Sequence, residues 1–452
     1  MMRAHWGTRL GFILAAAGSA IGLGNIWKFP YITGENGGGL FVLIYLGCVA
    51  VVGLPIMIAE ILIGRAAQSS PVSAYKRLSG EDSPWQALGW LGVVCAFVIL
   101  SYYSVVAGWS LNYIILSLVD TTHGKTPDQI GGIFDTLYKS GSANLLWHFV
   151  FLSLTVGIVY GGVQRGIEKA CRVLMPMLFV MVGALVVYCL IETPSGFAKA
   201  FGFILEPDRE KLTPRGVLEA LGHSFFTLSL GMGAMLTYGS YMSKEDDITR
   251  SSLWIVGLDT LISMLACFMI FPFVLGHGQV PAQGPGLVFK TLPIIFSTLP
   301  AGLLVSLVFF VLLALAALTS AISLLEVSTS YFIDEHEWER PKAVLVTGVI
   351  TLVLGVPSAL AGGGGMLPEW EAMFGMNFFD TFDYLASNWL LTFGGFATAI
   401  YAGWFLPDRL RREEFASGSR FGKLYPVWLW TLRVSPVAIL VVLLYKVGLL
   451  KV

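Results

Sequence analysis

The chain has 452 residues, of which 56% are hydrophobic and only 13% charged, and a mean hydropathy of +0.74. A soluble domain carries about 25% charged residues, so this composition belongs in a bilayer. At about 20 residues per spanning helix the length allows about a dozen crossings and leaves little for a separate soluble enzyme domain. With 28 Lys and Arg against 29 Asp and Glu, and a net charge of -1, no nucleic-acid surface is expected.

The first apolar run starts at Leu10 and is interrupted by glycines and by Lys28-Phe29-Pro30. Its Gly-rich stretch continues without a small-residue cleavage site, so it reads as mature structure and not as a signal peptide. Further runs follow at about 38 to 64, 86 to 119, 145 to 163, 171 to 191, 216 to 240, 251 to 276, 301 to 333, 341 to 360, 378 to 405 and 423 to 449, which makes eleven spans. An odd number puts the termini on opposite sides. With the N-terminus cytoplasmic, 17 of the Lys and Arg fall in internal segments and nine in external ones (Lys125, Lys139, Lys199, Arg209, Lys211, Arg215, Lys290, Lys446 and Lys451), leaving Lys28 and Arg433 within spans. That bias favours a multi-pass protein of the plasma (inner) membrane with an extracytoplasmic C-terminus. The longer connections, at about 120 to 144, 192 to 215, 277 to 300 and 361 to 377, are rich in Gly and Pro, and a short surface helix is expected near Gly286 to Leu292. Cys48, Cys95, Cys171, Cys189 and Cys267 share no metal-ligand spacing and read as packing residues. The string Gly362-Gly363-Gly364-Gly365 lacks the Lys-Ser/Thr of a phosphate loop, so a nucleotide-driven pump on this chain is not expected.

Two spans carry breaks. Gly18-Ser19-Ala20-Ile21-Gly22-Leu23-Gly24-Asn25 precedes Pro30 in the first, and Thr227-Leu228-Ser229-Leu230-Gly231-Met232-Gly233 lies in the sixth. Glycine lowers the cost of leaving helical geometry and proline removes a donor. Carbonyls opened there cannot face lipid and need a cavity or ions. Close packing of small residues explains the glycines alone, but less well the company of Asn25, Thr227 and Ser229. Setting spans one to five (1–191) against six to ten (192–405), with 406–452 holding a loop and span eleven, gives the arithmetic of a 5+5 inverted repeat. The fold expected is therefore an all-α integral membrane one with discontinuous helices one and six. Polar residues gather near the breaks: Tyr102 and Tyr103 in span three, Asp259 and Ser263 in span seven, Thr319, Ser320 and Ser323 in span eight. A lone hydroxyl is commonly satisfied by its own helix. An intramembrane carboxylate such as Asp259 needs a cation, a proton or donors.

The stretch RAHWGTRLGFILAAAGSAIGLGNIWKFPYITGENGGG at Arg3 to Gly39, with FFTLSLGMGAMLTYGSY at Phe225 to Tyr241 and ALTSAISLLE at Ala317 to Glu326, resembles the neurotransmitter:sodium symporter family. Within it the chain looks most like the bacterial eleven-span hydrophobic-amino-acid transporters, over about residues 3 to 448. The resemblance implies no enzyme and no catalytic residue, but a sodium-coupled importer of hydrophobic L-amino acids, of broad specificity, working by alternating access. A transporter of another small organic substrate is the near alternative, and a membrane receptor or scaffold the more distant one.

By that resemblance two sodium ions are expected as partners. The first would use Ala20, Asn25, Thr227 and Asp259, with the substrate carboxylate as a further ligand. The second would use the carbonyls of Gly18, Ile21 and Ala316 and the hydroxyls of Thr319 and Ser320. The substrate backbone would meet Ala20, Leu23, Gly24, Tyr103, Phe226, Thr227 and Ser229. Its side chain would meet Ile99, Phe226, Met232, Ala321 and Leu324, with Ser320 at the edge. Asp259 stands where the family often has Asn, and His223 where it often has Gln beside a chloride ion, so no chloride requirement is expected. Lys28, in place of the usual Arg, and Asp383 match the outer gate. Arg3 and Asp334, with Tyr241 beside them, match the inner one. Gly166 and Pro176 match a fifth-span motif for unwinding. The sequence leaves the oligomeric state and the preferred amino acid open.

Overall fold

In the computed structural model, residues 3–206, 213–276, 284–363, 368–446 and 449 are described. Gly364, Gly365, Arg209, Lys211 and Lys451, invoked above, lie outside them, as does the side chain of Lys446. Among the described residues the fold is all-helical, with eight uninterrupted helices long and apolar enough to cross a membrane. Two bent pairs add to them. Arg9–Ala20 and Gly24–Glu35 meet at 52° and form the first span, while Phe378–Phe405, the tenth, turns by 106° into the surface helix Asp408–Ala416. The sixth span comes in two pieces, Pro214–Thr227 and Ala234–Gly239, too short to register as one crossing. With it the expected eleven are accounted for. Short helices fill the long connections, at Pro127–Lys139, Pro194–Leu205, Leu292–Phe296 and Pro368–Phe374.

Position in the bundle follows the composition of each helix. The third span, Gln86–Leu118, alternates small and aromatic residues and is 78% buried over its apolar window; the fifth, Val163–Glu192, is 28% buried and turns Val180 and Ile191 outward. Burial on all sides calls for small residues that let backbones approach. Gly108, for instance, leaves no room for a Cβ, which would stand 2.8 Å from the Trp147 backbone. The third and eighth spans pack along their length, with the fourth and ninth against them; the broken first span lies against the fifth, seventh and eighth, and the broken sixth against the second. A guanidinium in the interior needs partners. Arg65, at the end of the second span, gives its Nε to Glu414 at 2.8 Å and an Nη to the Asp246 carbonyl at 2.6 Å, fastening two connections to the bundle.

Candidate functional site at the two helix breaks

The first span leaves helical geometry at Ile21, whose ψ of 105° turns the chain out, and resumes in a wide turn at Gly24–Lys28. Gly22 N–H is satisfied by Asn25 Oδ1 at 2.9 Å and Leu23 N–H by the Tyr103 hydroxyl at 3.3 Å. The sixth span opens at Leu228–Gly233, with Ser229, Gly231 and Gly233 at φ of 53°, 81° and 76°. Gly231 cannot be another residue: a Cβ there would lie 2.2 Å from the Leu391 carbonyl oxygen. Its N–H donates to Glu60 Oε1 at 2.7 Å, and Ser229 Oγ donates to the Ser19 carbonyl at 2.7 Å, tying one break to the other.

Two clusters of oxygen atoms result. In the first, the Asn25 amide nitrogen lies 2.6 Å from Asp259 Oδ1, 3.0 Å from Thr227 Oγ1 and 2.9 Å from Ser263 Oγ. Thr227 Oγ1 is itself 3.0 and 3.2 Å from the two Asp259 oxygens, and Tyr45 donates to Oδ2 at 3.4 Å. All five residues are buried. The amide donor thus sits where a carboxylate and two hydroxyls converge, while its Oδ1 is held by Gly22 N–H. In the second cluster Thr319 Oγ1 stands 3.0 Å from the Ala316 carbonyl and 3.5 Å from that of Ile21. Ser320 Oγ lies 3.4 Å from Gly18 O and 3.3 Å from Ile21 O. An all-oxygen set of this kind suits a hard alkali cation, and only the first carries a formal charge.

Between the breaks lies a small cavity. Its walls include Ala20, Leu23, Gly24, Ile99, Tyr103, Phe226, Thr227, Ser229, Met232, Ser320 and Leu324, as expected, but not Ala321, which is buried elsewhere. Ser19, Gly22 and Leu391 also line it and were not anticipated. Neither was Glu60, though a lone acid inside an apolar run is the same signal that singled out Asp259.

The two entrances differ. On one face Arg3 grips both oxygens of Asp334 at 2.7 and 2.6 Å, donates to Ser240 at 2.6 Å and lies 4.6 Å over the Tyr241 ring. Tyr241 in turn donates to Glu326, which pairs with Arg340. On the opposite face Lys28 and Asp383 line one open vestibule without pairing: Lys28 lies 4.6 Å over the Phe226 ring, and Asp383 accepts from Tyr102 and Ser387. The vestibule shares Leu23, Gly24, Tyr103 and Phe226 with the cavity. In the fifth span Gly166 lies in a wide turn, Val163–Glu168, where a Cβ would stand 2.1 Å from the Ile158 carbonyl; Pro176 lies in the helix that follows.

The sequence model of the sodium:neurotransmitter symporter family matches residues 3–126 and 128–451. The chain belongs to that family. This symporter is 38% identical to an uncharacterized sodium-dependent transporter, YhdH, of Bacillus subtilis (strain 168), over 99% of its own length and 98% of the relative's. It is 33% identical to an uncharacterized sodium-dependent transporter of Haemophilus influenzae, over 97% of each chain. Among solved structures it superposes on MhsT, crystallised in complex with L-phenylalanine, with a TM-score of 0.89, 43% identity and coverage of 98% and 99% of the two chains. The symporter is thus a multi-pass membrane protein with the 5+5 fold and a sodium-coupled secondary transporter working by alternating access.

Proposed function

We propose that this symporter imports hydrophobic L-amino acids of several sizes, with two sodium ions and no chloride requirement, across the plasma membrane. The observation that carries this is the convergence of two oxygen clusters on the residues flanking the first-span break, Gly18 to Asn25, bordering an apolar cavity. Asn25, Thr227 and Asp259, with the Ala20 carbonyl, hold the first sodium; Gly18, Ile21, Ala316, Thr319 and Ser320 hold the second. Leu23 and Gly24 N–H groups and the Tyr103 hydroxyl take the substrate carboxylate, while carbonyls of Ala20, Phe226, Thr227 and Ser229 face its ammonium, each half-helix end matching one pole of the zwitterion. Ile99, Phe226, Met232 and Leu324 take the side chain. The L-phenylalanine bound to MhsT supports an apolar ligand. Asp259 supplies the negative charge that chloride would otherwise bring.

In this reading Arg3, Tyr241 and Asp334 close the cytoplasmic entrance, Lys28 and Asp383 the outer one, and Gly166 and Pro176 let the fifth span unwind. Equilibrium binding of radiolabelled leucine and phenylalanine to purified protein, in sodium against potassium, tests it, followed by uptake into proteoliposomes. Sodium-dependent binding and accumulation are expected. Binding that ignores sodium, or binding without uptake, overturns the reading.

A further inference from the structure

The fifth span reaches the N-terminal segment with three side chains spaced at i, i+4 and i+8, which lie on one helix face. Gln164 Nε2 donates to the His5 carbonyl at 2.8 Å. Glu168, only 3% exposed, accepts from Gly7 N–H at 2.7 Å and from the Thr8 hydroxyl at 3.0 Å. Arg172 pairs with Glu168 at 2.6 Å and also touches Thr8. Thr8 is the N-cap of the first span, its oxygen accepting from Gly11 N–H at 3.0 Å. The carboxylate lies in a notch made by absent side chains: a Cβ on Gly11 would be 2.1 Å from Glu168 Oε1, and one on Gly7 3.1 Å from Oε2. Glu168 also closes the wide turn Val163–Glu168 that contains Gly166. The helix that begins at this contact, Arg9–Ala20, carries Gly18 near its other end and hands on to Ile21.

We infer that Glu168 is a positioning residue of the transport cycle, latching the start of the first span to the wide turn of the fifth. The inference rests on the alternating-access reading above. A short rigid helix joins the latch to the carbonyls of the second oxygen cluster. While Glu168 holds Gly7 and Thr8, the first half-helix cannot tilt away from the eighth span. The same carboxylate keeps the wide turn from unwinding, because it lies in that turn. Release of the one frees the other, so the path to Thr319 and Ser320 opens only when the N-terminal segment has left. Three charge-assisted contacts on one buried carboxylate are strong enough to hold and few enough to break together.

Hydrogen exchange of the purified full-length protein in sodium tests the latch. In Glu168→Ala, amides of 161–168 and of 5–11 should exchange at least about tenfold faster than in wild type, the change expected from losing one hydrogen bond to a charged group. Exchange in the third and eighth spans should stay unchanged. Gly11→Ala, which fills the notch from the other side, should reproduce the effect, and the double variant should show no further increase. Glu168→Gln, which retains an acceptor but loses the ion pair, should fall between. Uniform acceleration across the third and eighth spans, no acceleration at 161–168, or additive effects in the double variant would each overturn the inference. If Glu168→Ala does not fold, the comparison of Gly11→Ala and Glu168→Gln decides on the same readout. Amino-acid binding by the wild type is measured separately, so failure of the functional reading leaves this result standing on its own.

Discussion

In the proposed function the ion chemistry turns on Asp259, because it holds the only carboxylate in either oxygen cluster. Asp259→Ala should raise the sodium concentration for half-maximal amino-acid binding at least about tenfold, or about 1.4 kcal/mol, and weaken the amino acid with it. Thr319→Val should weaken sodium coupling while amino-acid capacity at saturating sodium is retained. Sodium titrations of amino-acid binding in monodisperse variants check both, and unchanged sodium dependence in the two would remove the assigned ligands. The same charge predicts full uptake in sodium gluconate free of chloride; loss of uptake that chloride restores at constant sodium would contradict it. Size selectivity is best probed at Leu324, one helical turn from Ser320 on the cavity wall. Leu324→Phe overpacks the pocket by a side-chain fragment that costs about 1–3 kcal/mol where no space remains, so competition by tryptophan and leucine should fall about tenfold or more and competition by alanine much less. An equal shift for all sizes would place the side-chain pocket elsewhere.

At the scale of elements, the breaks are built by backbone conformation and close approach. Gly231→Ala meets both a φ of 81° and the Leu391 carbonyl, so a cost of about 1–3 kcal/mol is expected, seen as a lower melting temperature with loss of amino-acid binding. Gly183→Ala in the fifth span, where nothing stands within 4 Å of the added carbon, should be neutral or stabilising by a few tenths of a kcal/mol. The breaks were legible in sequence because glycines beside Asn25, Thr227 and Ser229 have few other uses in an apolar span. The oxygen clusters followed from the family resemblance. What could not be read were facts of rotation and distance. Ser320 and Leu324 share a helix face, and Ala321, a third of a turn round, points away from the cavity. Leu391 enters the wall from the tenth span with no polar atom to announce it, and Lys28 lies over Phe226 by a tertiary contact that no local pattern encodes.

Across the whole molecule, one entrance is sealed and the other open. Arg3 and Asp334 are each nearly buried, at 13% and 14% side-chain exposure, so removing one partner strands the other. Arg3→Ala should therefore shift the population toward opening on that face. A cysteine placed at Thr237, buried in the inner half of the sixth span, should react at least about tenfold faster with a hydrophilic thiol reagent, with the native cysteines replaced, if the shift reaches about 1.4 kcal/mol. An unchanged rate would show that Tyr241, held by Glu326, keeps the seal without the ion pair.

The open vestibule also determines where a membrane voltage falls. In the proposed reading, solution filling the vestibule down to Phe226 would carry the potential of its own compartment to the cavity, and the drop would fall across the packed layer between the first-span break and the Arg3 cluster. A cation entering through the vestibule would then cross little of the field to reach Asn25 and Asp259. The charge would cross when the seal changes sides, at about 2.3 kcal/mol per elementary charge for each 100 mV. The sodium concentration that half-saturates amino-acid binding should thus be nearly independent of voltage, while the turnover rate should climb steeply with it, as expected of a current drawn from the motion of the protein and not from the arrival of the ion.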